Sequence, residues 1–144
     1  MTIALDKIKI LGVDHIQLDV ANLEESLEFY SRVFGFEIKE VGIRAFTRWM
    51  IIGTNNTLYL CMHEYAEGRN VKNDGLEITH FGILVEDFYR VISQLREHAV
   101  KLLPDYEVLY HSSRSVYFLD PNGYKVEISE KYGGGIEPAG RTLC

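Results

Sequence analysis

Two histidines and one glutamate stand at related places in a chain of 144 residues. His15 opens the stretch "HIQLDV" and His80 opens "HFGILV", 65 residues further on, while Glu127 follows His80 by 47 residues inside "YKVEIS". Two imidazoles and a carboxylate on adjacent strands can occupy one side of a six-coordinate divalent ion and leave positions for water, substrate or oxygen. That chemistry needs a frame that brings three distant segments into one concavity.

The elements around these residues repeat in order. "VDHIQLDV" alternates, with His15, Gln17 and Asp19 on one face and Ile16, Leu18 and Val20 on the other, the period of a strand covered on one side. Asn22 followed by Glu25 has the form of a capping box, and Leu23, Leu27, Tyr30 and Phe34 recur at helical spacing before Gly35. "FGFEIKEVG", "FTRWMII" and "TLYLCM" read as three strands, the last two joined by the turn-like "GTNN". The second half runs the same way. "ITHFGILV" is a strand, Asp87 caps a helix with Phe88, Val91, Ile92 and Leu95 on one face, and "KLLPDYEVLY", "SVYFL" and "YKVEIS" supply further strands, with Asp120 to Gly123 as a turn. The chain is therefore expected to be one domain over residues 10–130, built of a first module at about 10–64 and a second at about 76–130. The polar segment from His63 to Gly75 joins them, and residues 131–144 form a tail.

The duplication also locates an absence. Counting 47 residues from His15 reaches Met62, where the first module would carry the counterpart of Glu127, and Leu60 lies two residues away on the same face. A thioether is a weak, soft donor, so three ligands are expected and not four. His63 and Glu64 are read as lying past or across from that face, reachable only through a bulge.

Composition narrows the partners. Apolar residues make up 47% and charged residues 25%, enough to bury a core, and the formal charge of -6 with no basic stripe argues against nucleic acid. The N-terminal stretch carries charges within its apolar residues and no 18-residue apolar run occurs, so neither an export signal nor a membrane span is expected. Cys61 and Cys144 form no Cys-x-x-Cys pair, which suits a reducing compartment, and the cytoplasm is the default expectation.

The segments "GVDHIQLDVANLEESLEFYSRVFGFE", "ITHFGILVEDFYRVISQL" and "VYFLDPNGYKVEI" resemble the vicinal oxygen chelate superfamily, which includes glyoxalase I, type I extradiol dioxygenases, fosfomycin-resistance enzymes and bleomycin-binding proteins. The resemblance implies an α+β fold of two tandem βαβββ modules, with curled mixed sheets around a metal-binding cleft. It implies His15, His80 and Glu127 as metal ligands, with Fe, Mn, Ni or Zn as the ion and a small molecule bearing vicinal oxygens as substrate. It also implies a homodimer in which His15 of one copy could join His80 and Glu127 of another.

Within that superfamily the residues divide the subgroups. Glyoxalase I uses a second glutamate in its first module, at a place that falls near Leu60 or Met62 here. The fosfomycin-resistance transferases carry basic residues where this chain has Glu107 and "HSSRS", with Arg114 as one possible source of positive charge. "HSSRSVYFLDPNGYKVE" comes close to the extradiol signature, with His111 as acid/base and Tyr117 as a hydrogen-bond donor to a bound substrate, although the gap from His111 to Val116 is one residue short. An extradiol-type dioxygenase is the leading expectation. A lyase, a thiol transferase and a binding protein walled by Trp49, Tyr59 and Tyr117 stand as alternatives.

Overall fold

A computed structural model describes residues 7, 13–55, 59–65, 78–104, 108–110 and 112–132. In the first half, β1 (Ile16–Val20) leads to α1 (Leu23–Phe34) and then to β2 (Glu37–Arg44), β3 (Thr47–Gly53) and β4 (Tyr59–Glu64). In the second, β5 (Phe81–Leu84) leads to α2 (Phe88–Glu97), β6 (Val108–Tyr110), β7 (Ser113–Leu119) and β8 (Lys125–Ser129). The strands form two four-stranded sheets in the orders β1-β4-β3-β2 and β5-β8-β7-β6. Each sheet is mixed: β1 lies parallel to β4 and β5 parallel to β8, while the remaining pairs are antiparallel.

Local chemistry accounts for the helix ends. The Asn22 side chain accepts a hydrogen bond from the Glu25 N–H at 2.8 Å, and Gly35 closes α1 at φ 70°, a conformation that glycine reaches without a Cβ clash. Asp87 caps α2 by accepting from the Arg90 N–H at 3.4 Å. One boundary differs from the sequence reading. Ala45 and Phe46 form the turn between β2 and β3, both at positive φ, so Phe46 sits fully exposed at a hairpin tip and not in a strand.

One core serves both sheets. Leu18, Val20, Met50, Ile52, Leu60 and Met62 of the first sheet share a buried cluster with Phe81, Val116, Phe118, Val126 and Ile128 of the second. Helix α1 lies in that layer: Phe29 and Tyr30 are buried, and Phe118 of β7 packs against both Phe29 and Phe34 at ring-centroid distances of 6.1 Å. The consequence is directional. Both sheets turn their apolar faces to the same core, so their opposite, open faces look outward from the chain.

Polar contacts lock the halves together at the Asp120–Gly123 turn. Asp120 is buried and its Oδ1 accepts from the N–H groups of Asn122 and Tyr124, while its Oδ2 accepts from the Tyr30 hydroxyl at 2.9 Å. The Tyr124 hydroxyl donates to the Asp19 carbonyl at 2.7 Å, and Asn122 accepts from the Ala21 N–H and donates to Ser26. Among the described residues no helix is long and apolar enough to cross a membrane.

Candidate metal centre

Strand β8 alternates Val126 and Ile128 into the core, which leaves Lys125, Glu127 and Ser129 on the open face. Glu127 faces Gly82 of β5 on one side and Tyr117 of β7 on the other. His80, just before β5, points its Nε2 at Glu127 Oε2, 3.0 Å away. The other carboxylate oxygen is also held: Oε1 accepts from the Ser115 hydroxyl at 2.6 Å and from the Ser129 hydroxyl at 3.1 Å.

Tyr117 completes this cluster. Its ring meets His80 edge-on at 5.6 Å, and the Lys125 ammonium lies 5.7 Å from its ring centroid. Burial, and then the charge and hydrogen bond of Glu127, push its phenol above the ordinary range, so Tyr117 keeps its proton near neutral pH. Gly82 adds space: a Cβ there would lie 3.8 Å from Glu127 Oε2, so no side chain covers that oxygen from β5.

His15 stands apart from this group. It precedes β1 on the open face of the first sheet, is half exposed, and pairs through Nδ1 with Asp14 at 2.7 Å. Among the described residues no set of three or more His, Cys, Asp or Glu side chains could hold a metal ion within one chain. The expectation that all three ligands share one concavity is thus not realised among the described residues of a single copy, where His80 and Glu127 meet and His15 pairs with Asp14 instead. His80 and Glu127 do suit a divalent ion as an adjacent nitrogen and oxygen donor pair.

The first sheet corrects the reading of Met62. Leu60 and Met62 are wholly buried, and the open face of β4 carries Tyr59, Cys61 and His63. Gln17 faces Cys61 as Gly82 faces Glu127, so the counterpart of Glu127 is Cys61. The connection through the first module is one residue shorter than through the second, and a one-residue slip exchanges the faces of a strand. The alternation of Leu60 and Met62 with Cys61 and His63 was the signal available in the sequence. Cys61 Sγ lies 3.5 Å from His63 Nε2, and burial raises its thiol above the ordinary range.

β4 runs on through His63 and Glu64; His63 lies across from the Met62 face, as the sequence reading has it, and so on the open face, whereas Glu64 accepts from Arg48 and from the Leu23 N–H at the start of α1. Arg114 alternates with Ser115 and Tyr117, so it leaves the open face, and its guanidinium lies over Tyr89 at 5.2 Å. It therefore supplies no charge beside Glu127. His111 and Glu107 lie outside the described residues. Trp49 faces His63 across the sheet and its indole covers Gly42 of β2, which assigns it to the wall of the first sheet.

Comparison with known proteins adds three relationships. Residues 12–128 match the family model described as "Glyoxalase/Bleomycin resistance protein/Dioxygenase superfamily". The chain is 26% identical over 137 residues to a mitochondrial methylmalonyl-CoA epimerase of Dictyostelium discoideum, covering 88% of this chain and 82% of that protein. It is 27% identical over 136 residues to a lactoylglutathione lyase of Neisseria meningitidis, covering 89% and 96%. A crystal structure of a genomically encoded fosfomycin resistance protein from Listeria monocytogenes, complexed with Mn(II) and sulfate ion, superimposes with a TM-score of 0.61 at 18% identity, covering 85% of this chain and 94% of that one.

Proposed function

The chain belongs to the glyoxalase/bleomycin resistance protein/dioxygenase superfamily, and on that basis we propose that it is a divalent-metal-dependent enzyme acting on a small substrate with adjacent oxygen atoms. The observation that carries this reading is the His80–Glu127 pair on the open face of the second sheet, with Gly82 leaving the β5 side of the carboxylate uncovered. The named relatives point to lyase or epimerase chemistry more than to ring cleavage. The dioxygenase expectation leans on His111, which lies outside the described residues, and on Tyr117, which serves either reaction class.

His80 and Glu127 of one copy would hold the ion, with His15 contributed by a second copy. β1 and β5 are both edge strands, and each follows its histidine directly, so β1 of one copy set beside β5 of another brings the two histidines to one cleft. A bound divalent ion supplies a Lewis acid that stabilises negative charge developing on substrate oxygens. The chain's own residues do the rest. Ser115 and Ser129 fix the carboxylate, Tyr117 keeps a proton that it can donate to a substrate oxygen, and Lys125 places a positive charge on the same face. Cys61, His63 and Trp49 would line the opposing wall from the partner copy.

Elemental mass spectrometry of the untagged protein tests the proposal. Near-stoichiometric Mn, Fe, Ni or Zn is expected in the native chain and loss of that metal in H80A and E127A. A native protein that takes up none of these ions after reconstitution would refute the metal-dependent reading and favour a binding protein.

A further inference from the structure

The two oxygens of Glu127 have different surroundings. Oε1 receives two hydroxyl hydrogen bonds, from Ser115 at 2.6 Å and Ser129 at 3.1 Å, and these hydroxyls face each other at 3.5 Å across β7 and β8. Ser115 is only 5% exposed, so its hydroxyl has little competition from water. Oε2 instead faces His80 and the space left by Gly82, and the carboxylate also carries a hydrogen bond from the Tyr117 hydroxyl. Short hydroxyl-to-carboxylate bonds are among the stronger hydrogen bonds, and rotating the carboxylate to offer both oxygens to one ion would break them.

We propose that Ser115 and Ser129 are positioning residues that reserve Oε1 of Glu127 and present Oε2 alone as the metal-binding oxygen, so that the site discriminates by denying an ion a bidentate carboxylate. This inference rests on the metal-dependent reading above. Its consequence is selectivity. Ca2+ takes six to eight oxygen ligands with carboxylates often bidentate, whereas Mn, Ni and Zn accept fewer donors and mixed nitrogen and oxygen sets. A carboxylate confined to one oxygen therefore disfavours Ca2+, and it leaves a further position on the ion for a chelating substrate. The first sheet has no equivalent arrangement, since Cys61 and His63 stand where Glu127 and Ser129 stand in the second.

Calorimetric titration of Mn2+ and of Ca2+ into the native protein, S129A, S129T, S115A and S115A/S129A tests this, with thermal melts to confirm folding. The double variant is expected to bind Mn2+ about 10- to 100-fold more weakly, the usual range for removing outer partners of a ligand. Its preference for Mn2+ over Ca2+ should narrow, and S129T, which keeps a hydroxyl, should stay close to native. A folded double variant with native Mn2+ affinity and native preference would overturn the inference while leaving the metal site standing. Should S115A fail to fold, S129A decides alone, with native behaviour again counting against it. A native protein that binds no Mn2+ removes the metal reading and this inference with it, a result distinct from the previous one.

Discussion

Tyr30 of α1 donates its hydroxyl hydrogen to Oδ2 of Asp120, 90 residues along the chain, and both side chains are buried. The bond ties the first helix to the turn between β7 and β8 and holds both sheets to one core. Burial, followed by the Asp120 charge, pushes the Tyr30 phenol well above its ordinary range, so it stays protonated and donating. Y30F is expected to destabilise the fold by about 1.5–3 kcal/mol, the range for a hydrogen bond to a charged group. D120A should cost more, because it also strips acceptors from Asn122 and Tyr124. Urea denaturation checks both, and a D120A protein as stable as the native one would contradict this role.

The orientation of β4 separates two adjacent substitutions. M62E puts a carboxylate into a fully buried position among apolar side chains and is expected to unfold the chain or leave it several kcal/mol less stable. C61E places the same group on the open face, where Glu127 stands in the second sheet, and should fold. Thermal melts of the two variants decide the register: equal stability would mean that Cys61 and Met62 have been assigned to the wrong faces.

Sharing of the site between copies has a signature in mixed assemblies. H15A and H80A chains are each expected to lack bound metal. Under the proposed sharing, co-refolding is expected to give mixed dimers in which one cleft receives all its ligands, and random assortment of a twofold dimer should then restore about a quarter of native metal content. Elemental analysis of the mixture reads this directly. No recovery would place His15, His80 and Glu127 in the same copy or remove His15 from the site.

The start of α1 is held by a charge cluster with a defined acid response. Arg48 forms ion pairs with Glu24 and Glu64, each at 2.6 Å, and its hydrogen bond holds Glu24 at about 2 against an ordinary value of 4.5. A carboxylate whose folded-state value is depressed adds stability above its unfolded value and loses it as pH falls through the folded one. Stability is therefore expected to decline between about pH 4.5 and pH 2, with the decline shallower in R48M. The groups are exposed, so the effect should shrink in high salt. Identical acid titrations of R48M and the native protein would exclude this pair as a contributor.

Local chemistry made much of this protein legible in its sequence. The alternation in "HIQLDV" and "VEIS", the Asn22 cap and the Gly35 stop are satisfied within a few residues, so strands, helices and the repeated order could be read without knowing what packs on what. The pairing of His80 with Glu127 was legible for the same reason: His80 directly precedes β5, Glu127 sits at a fixed phase on β8, and the parallel pairing of β5 with β8 brings them together. Tertiary structure decided what depended on register and on the shared core. Counting from His15 reached Met62, yet the pairing of β1 with β4 sets Cys61 on the open face and Met62 in the interior, because one residue of offset reverses a strand. Ser115 and Ser129 gained their part only when β7 and β8 laid their hydroxyls against one carboxylate oxygen. The separation of His15 from His80 and Glu127 belongs to tertiary structure as well: both sheets bury their apolar faces in one core, and among the described residues the three candidate ligands do not meet within one chain.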